Sequence, residues 1–194
     1  MTPKGKTRPV EREIRYLDQD EVRRFFKAIP RVALRDRLLF GLIYRFGLRA
    51  SEACELPTAA LDRRRWEVTI QGKKNGLRRT YTVPRDLQEL LRRWHPAGAT
   101  LLSGRQGGLG RVRVWQLFKQ YAGLAGLGRE YSVHALRHSM AVHALDAGLA
   151  TEDVRDLLRH RKLSTTEVYA NLSTRRRSDY LGRLERSDAV VRIR

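Results

Sequence analysis

A chain of 194 residues has room for one domain with a true core, and 40 Lys and Arg against 21 Asp and Glu leave a net charge of +19. That charge would repel itself on an isolated globule, so a polyanion is the natural partner, and the Arg-rich bias suits forked grips on phosphate, favouring nucleic acid over a membrane. Cys54 is the single cysteine, which excludes an intrachain disulfide and a cysteine zinc site; with no bilayer-length apolar run and no signal-peptide stretch in residues 1–15, a reducing, cytoplasmic setting is expected.

Residues 1–15 carry Lys4, Lys6, Arg8, Arg12 and Arg15 without periodicity and read as a basic arm that orders on DNA. Asp18-x-x-Glu21 has the spacing of a capping box, which predicts a helix running to about Ala28, with Pro30 beyond it. A second helix from near Ala33 places Leu34, Leu38, Leu42 and Phe46 on one stripe beside Leu39 and Ile43, and Gly47 stops it. Leu48-Arg49-Ala-Ser51-Glu52 follows directly. A cation at such a junction of two short helices is anchored at its root and can be aimed. A strand is expected over roughly Ala59–Arg63. Trp66, Val68 and Ile70 then alternate with polar residues, Asn75-Gly76 turns the chain, and the alternation resumes from Arg79 to Val83. This is a β-hairpin whose tip carries Lys73, Lys74, Arg78 and Arg79, all suited to phosphate contacts.

Asp86–Trp94 continues as a helix with Leu87, Leu90 and Leu91 inward. The glycine-rich stretch from Gly98 to Gly110 lacks the residue order of a phosphate-binding loop and reads as a flexible connection. Residues 111–125 form a helix that buries Val114, Leu117, Phe118 and Tyr121 and turns Arg111, Arg113, Gln116, Lys119 and Gln120 outward as a DNA-facing set. Ser132 is placed to cap a helix carrying His134, Arg137 and His138 and stopped by Gly148. The next helix starts after Thr151-Glu-Asp and ends at Arg159-His160. Ser164-x-x-Glu167 is a second capping box, so Tyr169 falls early in a short helix pinned by Val168 and Leu172, with the tyrosine pointing elsewhere. The tail opens with Arg175–Arg177, and its strip of Tyr180, Leu181 and Leu184 is expected to pack on its own domain.

His134-x-x-Arg137, His160 and Tyr169 make sense together if one phosphate is held while a hydroxyl attacks it. These residues resemble the C-terminal motif block of the tyrosine recombinases, or phage-type integrases, both in order and in the intervals of 23 residues from Arg137 to His160 and 9 from His160 to Tyr169. Gly47-Leu48-Arg49-x-Ser51-Glu52 is similar to the block carrying that family's first catalytic arginine. Gly72-Lys73 matches the place of its lysine, with Lys74 as the neighbouring competitor. The resemblance implies an α+β, mainly α catalytic domain over residues 16–175 with a small three-stranded antiparallel sheet, followed by a tail, residues 176–194, of the sort the family often hands to a neighbouring protomer. It implies double-stranded DNA as partner, a homotetramer on paired sites, and chemistry without metal or other cofactor. In that scheme Arg49 and Arg137 bind the scissile phosphate, Glu52 supports them, and Lys73 protonates the leaving 5′-oxygen. His134 or His160 accepts or relays the proton of Tyr169, which forms a 3′-phosphotyrosyl link.

His134 and His138 lie one helical turn apart, yet Arg137 stands between them and no third ligand is in sight, so zinc is not expected and His138 and His143 read as structural. Two features depart from the family pattern. Arg159 stands where L-G-H has glycine, and this sequence carries no separate N-terminal core-binding domain. Two other functions share the same residues: a type IB topoisomerase acting as a monomer, and a DNA-binding regulator that kept the fold and lost turnover.

Overall fold

The computed structural model describes residues 14–72, 77–104, 107–160, 164–170 and 172. Helices α1 (Gln19–Ala28), α2 (Leu34–Phe46) and α3 (Ala50–Glu55) come first. A three-stranded antiparallel sheet follows, β1 (Leu61–Asp62), β2 (Glu67–Gln71) and β3 (Arg78–Thr82), and then α4 (Arg85–Arg93), α5 (Arg111–Leu124), α6 (Val133–Asp146), α7 (Thr151–Leu158) and α8 (Ser164–Ala170). This is the mainly helical architecture with one small sheet that the sequence predicts.

α1 starts as its capping box requires: Glu21 N–H donates to Asp18 Oδ1 at 2.7 Å and Asp18 N–H to Glu21 Oε2 at 2.9 Å. α2 is more deeply enclosed than a single stripe implies. Leu38 to Ile43 are buried without a break, Gly41 included, because α4 and α6 flank it on separate sides. A Cβ on Gly41 would lie 2.6 Å from Leu87 Cδ2, so the missing side chain lets α2 and α4 approach closely.

The hairpin pairs Val68 with Tyr81 and Ile70 with Arg79, with Val68 and Ile70 facing the core. The strand expected over Ala59–Arg63 is shorter than predicted. Thr58–Ala60 is a single 3-10 turn, and β1 stops after Asp62 because Asp62 Oδ1 accepts the N–H groups of Arg64 at 2.8 Å and Arg65 at 3.1 Å, folding the chain into a turn. Ser132 holds the N-cap place of α6 without a side-chain hydrogen bond. The hairpin tip bearing Lys73 and Lys74, the basic arm before residue 14 and the tail beyond residue 172 lie outside the described residues.

Two helix stops set the direction of the chain into the site. α2 ends at Gly47 with φ of 55° and α7 ends at Arg159 with φ of 56°, both left-handed. In each the next amide reaches back, Leu48 N–H to Ile43 O at 3.1 Å and His160 N–H to Arg155 O at 3.0 Å. The first stop has the glycine this conformation favours. The second has an arginine, at a backbone cost of about 1–2 kcal/mol.

Candidate active site

The C-terminal ends of α2 and α7 converge, and each leaves carbonyls without helical partners and a negative partial charge. Two buried guanidiniums answer them. Arg137 of α6, 3% exposed, donates through Nη1 to Gly47 O and through Nη2 to Leu158 O at 2.9 Å. Arg159 donates through Nη1 to Leu157 O at 2.8 Å and Phe46 O at 3.1 Å, and through Nη2 to Gly47 O at 3.3 Å. The second guanidinium explains why an arginine is tolerated at a glycine position: its hydrogen bonds offset the strain of its own backbone.

Both guanidiniums face one buried carboxylate. Glu52 lies 3.4 Å from Arg159 Nη2 and 3.9 Å from Arg137 Nη1, and it accepts both the Arg49 backbone N–H at 2.9 Å and Arg49 Nη1 at 2.8 Å. Burial alone would raise the Glu52 pKa, but the Arg49 N–H bond, the Arg159 charge and the Arg49 and Arg137 side chains outweigh it and hold the group below the usual carboxylate range. Arg49 is the open member of the set, with 39% of its side chain exposed. Two anchored guanidiniums and one accessible one therefore meet over a common carboxylate, an arrangement suited to gripping an external anion.

His160 is buried against this cluster. Arg137 Nη2 lies 2.9 Å from His160 Nε2, and a guanidinium only donates, so Nε2 presents its lone pair. The ring proton then sits on Nδ1, which donates to Thr166 Oγ1 at 2.9 Å. Burial first, then Arg137, Arg49 and Arg159, push the His160 pKa down to about 4, so the imidazole is neutral at physiological pH. Both of its nitrogens are already engaged. His134 lies on the exposed side of α6, where desolvation and then Arg137 and Arg49 lower its pKa.

The short helix α8 turns the opposite way from the sequence expectation. Tyr169 is 3% exposed and packs with Met140, Leu145, Val154 and Leu158, while Val168 is 41% exposed. Over so short a helix burial is decided by what α6 and α7 offer, and they offer the phenol an apolar pocket with a polar end. That end is His138, whose Nδ1 lies 2.8 Å from the Tyr169 hydroxyl. Burial raises the Tyr169 pKa, while Arg137 and then Arg49 pull it back down. His138, read from the sequence as structural, thus touches the hydroxyl; the one available signal was its position four residues after His134. His143 does have a structural contact, Nδ1 to the Tyr44 hydroxyl at 2.9 Å.

The basic residues proposed to face DNA divide. Arg78, Arg111 and Arg113 are exposed. Arg79 pairs with Asp156 at 3.3 Å and, with Tyr81, fastens β3 to α7. Lys119 instead acts within the fold, because its ammonium donates to Arg129 O at 2.6 Å and Tyr131 O at 2.7 Å, tying α5 to the loop before α6. No group of three His, Cys, Asp or Glu able to hold a metal occurs among the described residues, nor is any helix among them long and apolar enough to cross a membrane.

Fold and site together define a helical domain in which guanidiniums meet over one carboxylate, with an imidazole against them and a buried tyrosine held by a second imidazole. The chain belongs to the phage integrase family, whose model matches residues 15–176. It is 32% identical over 167 residues to the tyrosine recombinase XerA of Pyrococcus furiosus, covering 82% of this chain and 58% of that protein. It is 35% identical over 150 residues to the tyrosine recombinase XerD of Neisseria meningitidis serogroup B, covering 72% of this chain and 51% of the relative. The chain thus spans a little over half the length of these relatives. In fold it is similar to the crystal structure of XerA recombinase, with a TM-score of 0.75 at 20% identity over 87% of this chain and 64% of the other. It is likewise similar to the catalytic domain of bacteriophage HP1 integrase, with a TM-score of 0.67 at 20% identity over 88% of this chain and 95% of that domain.

Proposed function

We propose that this chain is the catalytic part of a site-specific DNA recombinase or integrase that cuts and rejoins strands through a 3′-phosphotyrosyl intermediate. The observation that carries the reading is the pair Arg49 and Arg137 on the Glu52 carboxylate, with Tyr169 inside the field of both guanidiniums. A DNA phosphodiester resists attack because it is anionic and its leaving alkoxide is poor. Arg49 and Arg137 neutralise the non-bridging oxygens and bind more strongly as charge builds in the transition state. Tyr169 supplies the nucleophile, and its bond to phosphorus conserves the energy for rejoining by a 5′-hydroxyl without a cofactor.

Lys73 protonates the departing 5′-oxygen; this assignment rests on Gly72-Lys73 in the sequence, with Lys74 as its competitor. His134 flanks the phosphate site from the surface of α6, and His160 orients Arg137 through its lone pair. Arg78, Arg111 and Arg113 hold flanking DNA backbone. Recombination takes place in a homotetramer on paired sites in the nucleoid, with residues 176–194 exchanged between protomers.

The test is a nicked duplex from which the cleaved end diffuses away. Wild-type protein should leave an SDS-resistant protein–DNA band, and Tyr169→Phe should leave none. No band with wild type would favour a silent DNA-binding regulator, and an equal band in both would move the nucleophile elsewhere.

A further inference from the structure

Arg159 carries two costs that glycine at its place would avoid. Its backbone is left-handed, with φ of 56°, and its Nε is buried without a hydrogen-bond partner among the described residues. Costs of this kind held inside a functional site point to what the side chain does there. The two terminal nitrogens of the guanidinium fasten several elements at once. Nη1 reaches Phe46 O at the end of α2, Leu157 O at the end of α7 and the Tyr81 hydroxyl on β3, the last at 3.3 Å. Nη2 reaches the Glu52 carboxylate at 3.4 Å.

Tyr81 is the point at which the β2–β3 hairpin meets this cluster. Its ring packs on Phe46, with centroids 5.7 Å apart, and its hydroxyl donates to Asp156 O at 3.3 Å. Arg79 adds an ion pair to Asp156 at 3.3 Å, but both side chains are 42% exposed and the pair is screened. From the rung that joins Tyr81 to Val68 the ladder runs on to Gln71 and Arg78, and Gly72 N–H closes it on Leu77 O at 3.2 Å. Gly72 lies four residues past Val68, about 13 Å at the rise of a strand, and Lys73 follows it in the sequence.

We propose that Arg159 is a positioning residue for the leaving-group step. Through Tyr81 it sets the angle of the β2–β3 hairpin, and with it the approach of the general acid that the hairpin supplies to the departing 5′-oxygen. This rests on the recombinase reading above. The ladder is rigid, so the hairpin acts as a lever about the Tyr81 rung. A tilt of about 5° there moves the far end by about 1 Å. A misplacement of about 1 Å between reacting groups lowers a rate about 10²-fold. The lever is also referenced to the phosphate grip, because the same guanidinium meets Glu52, the carboxylate beneath Arg49 and Arg137.

The test uses the full chain and compares single-turnover cleavage of two nicked duplexes, one with the natural 5′-oxygen at the scissile bond and one with sulfur in its place. A thiolate leaves without a proton, since a thiol has a pKa of only about 8.5, so the sulfur duplex does not need the general acid. The ratio of the sulfur rate to the oxygen rate therefore reports leaving-group protonation and cancels changes in phosphate grip or in the fraction of folded protein. Lys73→Ala and Lys74→Ala set the ceiling of that ratio. Arg159→Gly should cleave the natural duplex about 10–10²-fold more slowly and raise the ratio at least about tenfold. Tyr81→Phe keeps the ring on Phe46 and loses only the hydroxyl, so it spares the fold and should raise the ratio by a smaller factor. A ratio unchanged in Arg159→Gly, while a lysine variant raises it, overturns the positioning role and leaves the recombinase reading standing. A ratio that neither lysine variant moves places the general acid outside the hairpin and overturns the role as well. Absence of any adduct with wild type on either duplex overturns both.

Discussion

Replacing Glu52 by Gln removes one negative charge from beneath three guanidiniums and changes almost nothing in shape. The Glu52 side chain is 2% exposed and meets Arg49 at 2.8 Å, Arg159 at 3.4 Å and Arg137 at 3.9 Å. Whichever way the amide is turned, its NH2 faces a donor. Removing one partner of a buried ion pair costs about 3–5 kcal/mol. Two features put the expected loss at the lower end, about 3 kcal/mol. Arg49 is partly solvated, so its share is screened, and the buried guanidiniums keep their bonds to the carbonyls of Phe46, Gly47, Leu157 and Leu158. In urea this moves the unfolding midpoint down by about 1–3 M at neutral pH.

The same contact has a pH signature. Glu52 is held below its ordinary pKa in the folded chain, so its contribution is complete above the unfolded value of about 4.3 and fades as pH falls through the folded value. The gap between wild type and Glu52→Gln should therefore narrow at acid pH. Equal midpoints at neutral pH, or a gap that stays constant under acid, would refute the argument.

Arg159→Gly restores the glycine that a left-handed stop favours, yet it removes donors from Phe46 O, Leu157 O, Gly47 O, the Tyr81 hydroxyl and Glu52. The lost bonds outweigh the relieved strain, so a net destabilisation of about 1–3 kcal/mol is expected, read by denaturant unfolding; a stabilised variant would show that strain dominates. Arg111→Gln with Arg113→Gln should weaken DNA binding and lower the slope of log K against log salt by about 2, measured by titration at several salt concentrations, with no effect on urea unfolding. Lys119→Gln should do the reverse, lowering the urea midpoint more than DNA affinity, because its ammonium is bonded to the carbonyls of Arg129 and Tyr131.

Much of the architecture was legible because it rests on local rules. Asp18-x-x-Glu21 starts α1, Gly47 stops α2, and alternation around Asn75-Gly76 gives the hairpin pairing. The gathering of Arg49, Glu52, Arg137 and His160 was legible only through the resemblance of their order and spacing to the family's motifs, since Arg49-x-x-Glu52 alone reads equally as a surface ion pair. What escaped depended on contacts between elements far apart in the chain. Tyr169 turns inward because α6 and α7 open a pocket for it, and no periodicity within a seven-residue helix encodes that. His138 gains its partner 31 residues downstream, and Lys119 faces a loop ten residues on. Arg159 was visible as a departure from glycine, but its burial under Glu52 follows from two helix ends meeting in space.

The most direct measurement is the identity of the bond to DNA. Adduct trapped on a nicked duplex, digested with nuclease and protease and read by mass spectrometry, should carry its nucleotide remnant on the peptide containing Tyr169, joined through a 3′-phosphate. A remnant on any other side chain, or one joined through a 5′-phosphate, would contradict the account.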